Sequence, residues 1–157
     1  MRMGMSAGYH KNFATGERAM EENSLKKPRR LLVIDDEVIV GKRLLQVFGK
    51  MGFNVEVFDS PLPAMEAAEQ HPFDIVVTDL KMAGMDGMEV LSRVKQLNSA
   101  TRVIIITGYA QPETEEEAFE KDVFDFIPKP FRLEQLKESI LKAVKELEQE
   151  DHDGQNS

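Results

Sequence analysis

Four apolar runs in this 157-residue chain end on residues suited to metal and phosphate chemistry. Asp35-Asp36 follows Leu31-Leu32-Val33-Ile34, and Asp79 follows Ile75-Val76-Val77-Thr78. Thr107 follows Val103-Ile104-Ile105-Ile106, and Lys129-Pro130 follows Phe124-Asp125-Phe126-Ile127-Pro128. Runs of β-branched and aliphatic residues this short read as strands buried on both faces. Open parallel sheets bind ligands outside the carboxyl ends of their strands. The four ends therefore predict one pocket holding three carboxylates, one hydroxyl and one ammonium.

Clustered carboxylates repel and raise one another's pKa unless a cation neutralises them. A hard divalent ion with oxygen ligands does this, and Mg²⁺ suits a site that also takes phosphate oxygens. Asp35 and Asp36 are adjacent, so on a regular strand they would face opposite sides. The strand ends there, which lets both turn toward the pocket rim. A strand-end Asp or Thr by itself would carry little meaning. Convergence gives these their weight.

The elements that must position these residues alternate along the chain. Apolar run 31–34 precedes a helical pattern with Val38, Val40, Leu44, Leu45, Val47 and Phe48, stopped near Gly52. A short strand at 55–58 precedes a helix capped by Ser60, with Pro61 in its first turn. Strand 74–78 leads to a loop with Gly84 and Gly87, then a helix bearing Met88, Val90, Leu91 and Val94. Strand 102–106 precedes a helix opened by Pro112, and strand 124–127 precedes a last helix with Leu133, Leu136, Ile140, Val144 and Leu147 on one face. Five strands alternating with five helices predict an α/β sandwich with a parallel sheet.

The net charge of −8 is unevenly spread: about +4 over residues 1–30 and about −12 over the rest. A globular part this acidic would repel a phosphate backbone, so direct nucleic-acid binding by it is not expected. Lys26, Lys27, Arg29 and Arg30 read as a solvated linker rather than an anion patch. Residues 1–28 show no helical or strand period and are expected to form a flexible arm, with the domain proper at 29–148 and an acidic, fraying tail at 149–157. There is no cysteine, which excludes disulfides, zinc–thiolate sites and a thiol nucleophile. No apolar stretch approaches the ~20 residues of a membrane span, and residues 1–24 carry no apolar signal core. The expected location is cytoplasmic.

Asp35-Asp36, Val76-Val77-Thr78-Asp79-Leu80, Met85-Asp86-Gly87, Ile106-Thr107-Gly108 and Phe126-Ile127-Pro128-Lys129-Pro130 together resemble the receiver domain of two-component response regulators. The resemblance covers about residues 30–148. Thr107-Gly108-Tyr109-Ala110 and Phe124-Asp125-Phe126 are similar to receivers of nitrogen-regulation-type transcription activators. It implies a flavodoxin-like (βα)5 three-layer sandwich with a five-stranded parallel sheet in the order 2-1-3-4-5.

It also implies a set of roles. Asp79 would be the phosphoacceptor, its carboxylate attacking phosphorus in line. Asp36, Asp79 and the backbone carbonyl of Lys81 would ligate Mg²⁺ directly, with Asp35 acting mainly through water. Lys129 would balance the phosphoryl charge, and Thr107 would donate its hydroxyl to a phosphoryl oxygen. Thr107 and Phe126 would form the switch, and the Lys129–Pro130 bond would be cis. The phosphodonor would be a sensor histidine kinase or a histidine phosphotransfer protein. The face of helix four, strand five and helix five would meet partners or dimerise, and the glutamates of helix four would favour a basic partner. His10, His71 and His152 sit in an arm, before a proline and in a tail, so the chain reads as an acceptor and not a histidine donor.

Two strings depart from the family pattern. Ala83 stands where a proline is usual, predicting a looser loop, and Asp122-Val123 replace a common Gly-Ala before strand five. Among rivals, a Mg²⁺-dependent phosphohydrolase with an aspartate nucleophile needs Asp-x-Asp where this chain has Asp35-Asp36-Glu37. A flavin or nucleotide binder would need a glycine-rich phosphate loop after a strand, and none follows. A receiver-fold interaction module that is never phosphorylated would not need the full acid–Thr–Lys set.

Overall fold

The computed structural model describes residues 25–156, so most of the expected flexible arm, residues 1–24, lies outside the described residues. Five strands, β1 (Arg30–Ile34), β2 (Asn54–Phe58), β3 (Ile75–Asp79), β4 (Arg102–Thr107) and β5 (Asp125–Pro128), form one parallel sheet in the order β2-β1-β3-β4-β5. Between and after them run α1 (Val38–Lys50), α2 (Pro61–Gln70), α3 (Gly87–Leu97), α4 (Pro112–Glu120) and α5 (Leu133–Asn156).

The strands are apolar throughout because alternate side chains enter different layers. Leu31, Val33, Ile75, Val77, Ile104 and Ile106 pack with Leu44 and Phe48 of α1 and Leu136 and Ile140 of α5. Leu32, Ile34, Val76, Val103 and Ile105 pack with Met65 of α2, Leu91 of α3 and Ala118 of α4. Two cores thus clamp one sheet and fix the register of its carboxyl ends.

Both departures from the family pattern have local solutions. Gly84 takes φ +91 in the loop after β3, and Gly87 N–H donates to the Leu80 carbonyl at 2.8 Å. Asp86 caps α3, accepting from Glu89 N–H at 3.0 Å. Before β5, Asp122 adopts φ 68, a left-handed conformation that Asp tolerates better than most side chains. Lys95 Nζ lies 3.1 Å from its carboxylate.

Two expectations are corrected at the amino edge of the sheet. Arg29 and Arg30 are not a solvated linker. The Arg29 side chain is 4% exposed, with NH1 3.4 Å from Asp74 and NH2 2.7 Å from Asp151. Arg30 pairs with Glu56 at 2.8 Å and lies 4.2 Å over the Phe73 ring. Nor does the helix end before the acidic tail: α5 continues to Asn156. Acids near a helix C-terminus are unfavourable alone. Here cations from outside the helix meet them: Arg102 holds Glu146 and Glu150, while Lys27 and Arg29 hold Asp151. Composition did not reveal these pairs, because all three cations are distant in sequence.

The hydrogen bond from Lys27, then that from Arg29, holds the Asp151 carboxyl below its ordinary value. A depressed folded-state value stabilises above the unfolded pKa and loses that contribution as pH falls through the folded one. Hydrogen exchange should therefore show the amides of the last two turns of α5 losing protection below about pH 4, before the sheet does. Uniform protection down to the global acid transition would contradict this.

Candidate functional site

The carboxyl ends of β1, β3, β4 and β5 meet as the runs require. Carboxylate oxygens of Asp35, Asp36 and Asp79 lie within 4.8 Å of one another. Asp35 is 1% exposed and Asp79 7%, while Asp36 stands at the rim, exposed. Asp79 is fixed at both oxygens: Oδ1 accepts from Leu80 N–H at 2.7 Å, and Oδ2 from Lys129 Nζ at 2.9 Å. Lys129 also reaches Asp35 at 3.4 Å and Glu37 at 2.9 Å. Asp35 Oδ1 accepts the Glu37 N–H at 2.8 Å, tying the strand end to the start of α1.

The electrostatics follow from this crowding. Burial holds the Asp35 carboxyl above its ordinary value, against the lowering effects of the Glu37 N–H and of Lys129. Burial also depresses the Lys129 ammonium, but its hydrogen bonds to Glu37 and Asp79 and the Asp35 and Asp79 charges outweigh that, and its value is raised. One permanent cation faces four carboxylates, and the donors are hard oxygens, which fits a divalent ion such as Mg²⁺.

Thr107 ends β4 fully buried, its Oγ1 accepting from Tyr109 N–H at 2.8 Å, and its carbonyl accepts from Lys129 N–H at 2.7 Å. Among the described residues no acceptor takes the hydroxyl proton. The Lys129–Pro130 bond is cis. Phe126 is 6% exposed and packs in the core layer of α2, α3 and α4. Lys81 Nζ lies 5.5 Å over the Tyr109 ring, so the loops after β3 and β4 touch above their strand ends.

Glu37 as a third carboxylate on Lys129 was not read from the sequence, where it entered only as the residue after the Asp pair. The signal available was its place immediately after the Asp pair. Also unanticipated was a groove of about 440 Å³ beside the site, lined by Ile39, Val40, Leu44, Pro130, Phe131 and Leu133 together with the charged Glu37, Arg43 and Lys129. Ile39 is 82% exposed there. No periodicity argument joins α1 to the loop after β5.

Gly87 is required by contact. A Cβ there would sit 2.5 Å from the Asp79 carbonyl oxygen and 2.9 Å from Leu80 Cα, both backbone atoms at the site. Gly87→Ala should cost about 1–3 kcal/mol in a denaturant melt and slow any chemistry at Asp79. Parent-like stability would show that the loop shifts freely.

Residues 31–141 match the family described as the response regulator receiver domain. The chain belongs to that family. It is 34% identical over 114 residues to the transcriptional regulatory protein ZraR of Escherichia coli K12, covering 73% of this chain and 26% of ZraR. It thus spans about a quarter of the length of that relative. It is 30% identical over 115 residues to sporulation initiation phosphotransferase F of Bacillus subtilis, covering 73% of this chain and 93% of the relative. A chain of the solved CheX–CheY–BeF3–Mg²⁺ complex of Borrelia burgdorferi superposes with a TM-score of 0.69 at 28% identity, over 74% of this chain and 89% of that one. The receiver is a phosphoacceptor module of two-component systems, and the flavodoxin-like strand order that the resemblance implied is the order observed. Among the described residues no helix is long and apolar enough to cross a membrane.

Proposed function

We propose that residues 29–148 act as a Mg²⁺-dependent phosphoacceptor switch, with Asp79 as the residue modified. The observation that carries this reading is Asp79 held between Lys129 Nζ and Leu80 N–H within the carboxylate cluster. An Asp79 oxygen bonds to phosphorus as the bond from phosphorus to the donor imidazole breaks, and the imidazole leaves with one proton. Asp36, Asp79 and the Lys81 carbonyl would hold Mg²⁺, with Asp35 acting through water. Bound there, the ion draws negative charge from the transferring phosphoryl group. Lys129 does the same from its own side, and Thr107 swings its hydroxyl to a phosphoryl oxygen, leaving room for Phe126. The change reaches the face of α4, β5 and α5, where partners bind or the chain dimerises.

The phosphodonor is a sensor histidine kinase or a histidine phosphotransfer protein, and the domain acts in the cytoplasm, catalysing only its own phosphorylation and dephosphorylation. It does not bind nucleic acid directly. The apolar collar of Ile39, Pro130 and Phe131 beside Lys129 supports a protein donor rather than a small phosphate ester. Incubation with acetyl phosphate and Mg²⁺ should add one phosphoryl mass, mapped by peptide analysis to Asp79. A mass added elsewhere, or none, would overturn the assignment.

The phosphoryl group should be comparatively long-lived. Hydrolysis requires a water in line with the Asp79 oxygen, and Lys81 and Tyr109 pair across the loops that flank Asp79 and Thr107. A long cation and an aromatic ring crowd that approach without orienting water as an amide or carboxylate would. Lys81→Asn with Tyr109→Glu should hydrolyse faster by about tenfold, about 1.4 kcal/mol of barrier. An unchanged decay rate would show that these two side chains do not guard the water path.

A further inference from the structure

Glu37 stands at the cap position of α1, yet its side chain makes no hydrogen bond to the first-turn N–H groups. It reaches instead to Lys129 Nζ at 2.9 Å. The same ammonium bonds Asp79 Oδ2 at 2.9 Å and lies 3.4 Å from Asp35 Oδ2. An ammonium has three N–H donors, so each of the three carboxylates accounts for one of them.

A phosphoryl group on Asp79 brings three further acceptor oxygens and needs an N–H that is already engaged. The three carboxylates differ in what releasing it would cost. Asp35 is buried, with a 1% exposed side chain whose other oxygen is fixed by the Glu37 N–H, so losing Lys129 would leave a charge stranded from water. Asp79 loses its carboxylate charge on modification and passes one N–H to the phosphoryl group, so any second contact from Lys129 to that group must be released by another carboxylate. Glu37 is 61% exposed, and water solvates it once it lets go. Glu37 is therefore the partner that yields.

We propose that Glu37 is a further positioning residue of the phosphorylation site, a competitor that holds Lys129 in the unmodified protein and surrenders it to the phosphoryl group. It rests on the Asp79 reading above. The competition lowers the affinity of the site for phosphoryl-like anions. It also places a negative charge at the mouth, which opposes doubly charged small donors.

The test is a beryllofluoride titration in saturating Mg²⁺, followed by NMR shifts, on the parent, Glu37→Gln and Glu37→Ala. Acetyl phosphate labelling of the same samples runs in parallel. Both variants should bind beryllofluoride about three- to tenfold more tightly than the parent, and both should label faster. A merely structural role for Glu37 would not tighten anion binding. If the parent labels at Asp79 while the variants bind equally or more weakly, Glu37 does not compete for Lys129. If the parent neither labels nor binds beryllofluoride, the phosphoacceptor reading itself fails, and this inference falls with it.

Discussion

Asp79→Asn is expected to abolish labelling by acetyl phosphate in Mg²⁺. The substitution keeps shape and leaves a carbonyl oxygen to accept from Leu80 N–H, so the 2.7 Å contact can persist. What it removes is the charged nucleophile. Loss should exceed about a hundredfold, about 2.7 kcal/mol of barrier. The neighbours are poor substitutes. Asp35 is 1% exposed with one oxygen spent on the Glu37 N–H, and Asp36 and Glu37 lie outward at the rim. Asp79 is anchored at both oxygens, by Leu80 N–H and Lys129, and is 7% exposed, whereas Asp35, also bonded at both oxygens, is 1% exposed. Stoichiometric labelling of the Asn variant at Asp35 or Asp36 would show that the cluster contains an interchangeable acceptor. Intact mass and peptide mapping separate these outcomes.

The fold was legible because each strand announces itself twice. Ile75-Val76-Val77 is apolar without alternation, which only a doubly covered strand requires, and Asp79 marks where coverage stops. Helix α5 was legible over Leu133–Leu147 for a different reason: its apolar residues fall on one face. Beyond Leu147 no apolar spacing remains, so sequence reasoning expected fraying. What holds those turns is charge pairing with Arg29, Lys27 and Arg102, and such pairing leaves no period in the chain. Arg29 shows the same limit from the other partner. A basic cluster normally means solvation, and only the fold reveals that Asp74 and Asp151 close on it.

At the site the legible part was the residue types at strand ends. Asp35, Asp36 and Asp79 converge as three strand ends of a parallel sheet must, and Lys129 arrives from the fourth run. The illegible part was reach. Whether Glu37 faces solvent, its own helix or Lys129 depends on the direction in which α1 leaves β1, and that direction is set by the packing of Leu44, Leu45 and Phe48. Lys81 over Tyr109 is a similar case. They stand two residues past Asp79 and two past Thr107, but that spacing does not say that they touch.

Mg²⁺ should stabilise the protein, and Asp36→Ala should remove most of that stabilisation. Burial holds the Asp35 carboxyl above its ordinary value. A raised folded-state value contributes stability below the unfolded pKa, lost as pH rises through the folded one, so ionised Asp35 is a cost at neutral pH. A bound divalent ion offsets it. At ten times its dissociation constant the ion adds about 1.4 kcal/mol, or about 4–8 °C in melting temperature for a domain of this size. Groups that merely orient metal ligands typically matter by about 10- to 100-fold in affinity, so loss of a direct ligand should cost no less. Asp36→Ala is therefore expected to shrink the Mg²⁺-induced melting shift to under about half. Asp35→Ala should weaken the ion less, yet it also removes the acceptor for the Glu37 N–H, so it disturbs the start of α1. Calorimetric melts with Mg²⁺ and with a chelator, run on parent and both variants, separate the two roles. Parent-like shifts in both variants would place the ion elsewhere. A larger loss for Asp35→Ala than for Asp36→Ala would make the buried carboxylate the direct ligand and reverse the assignment.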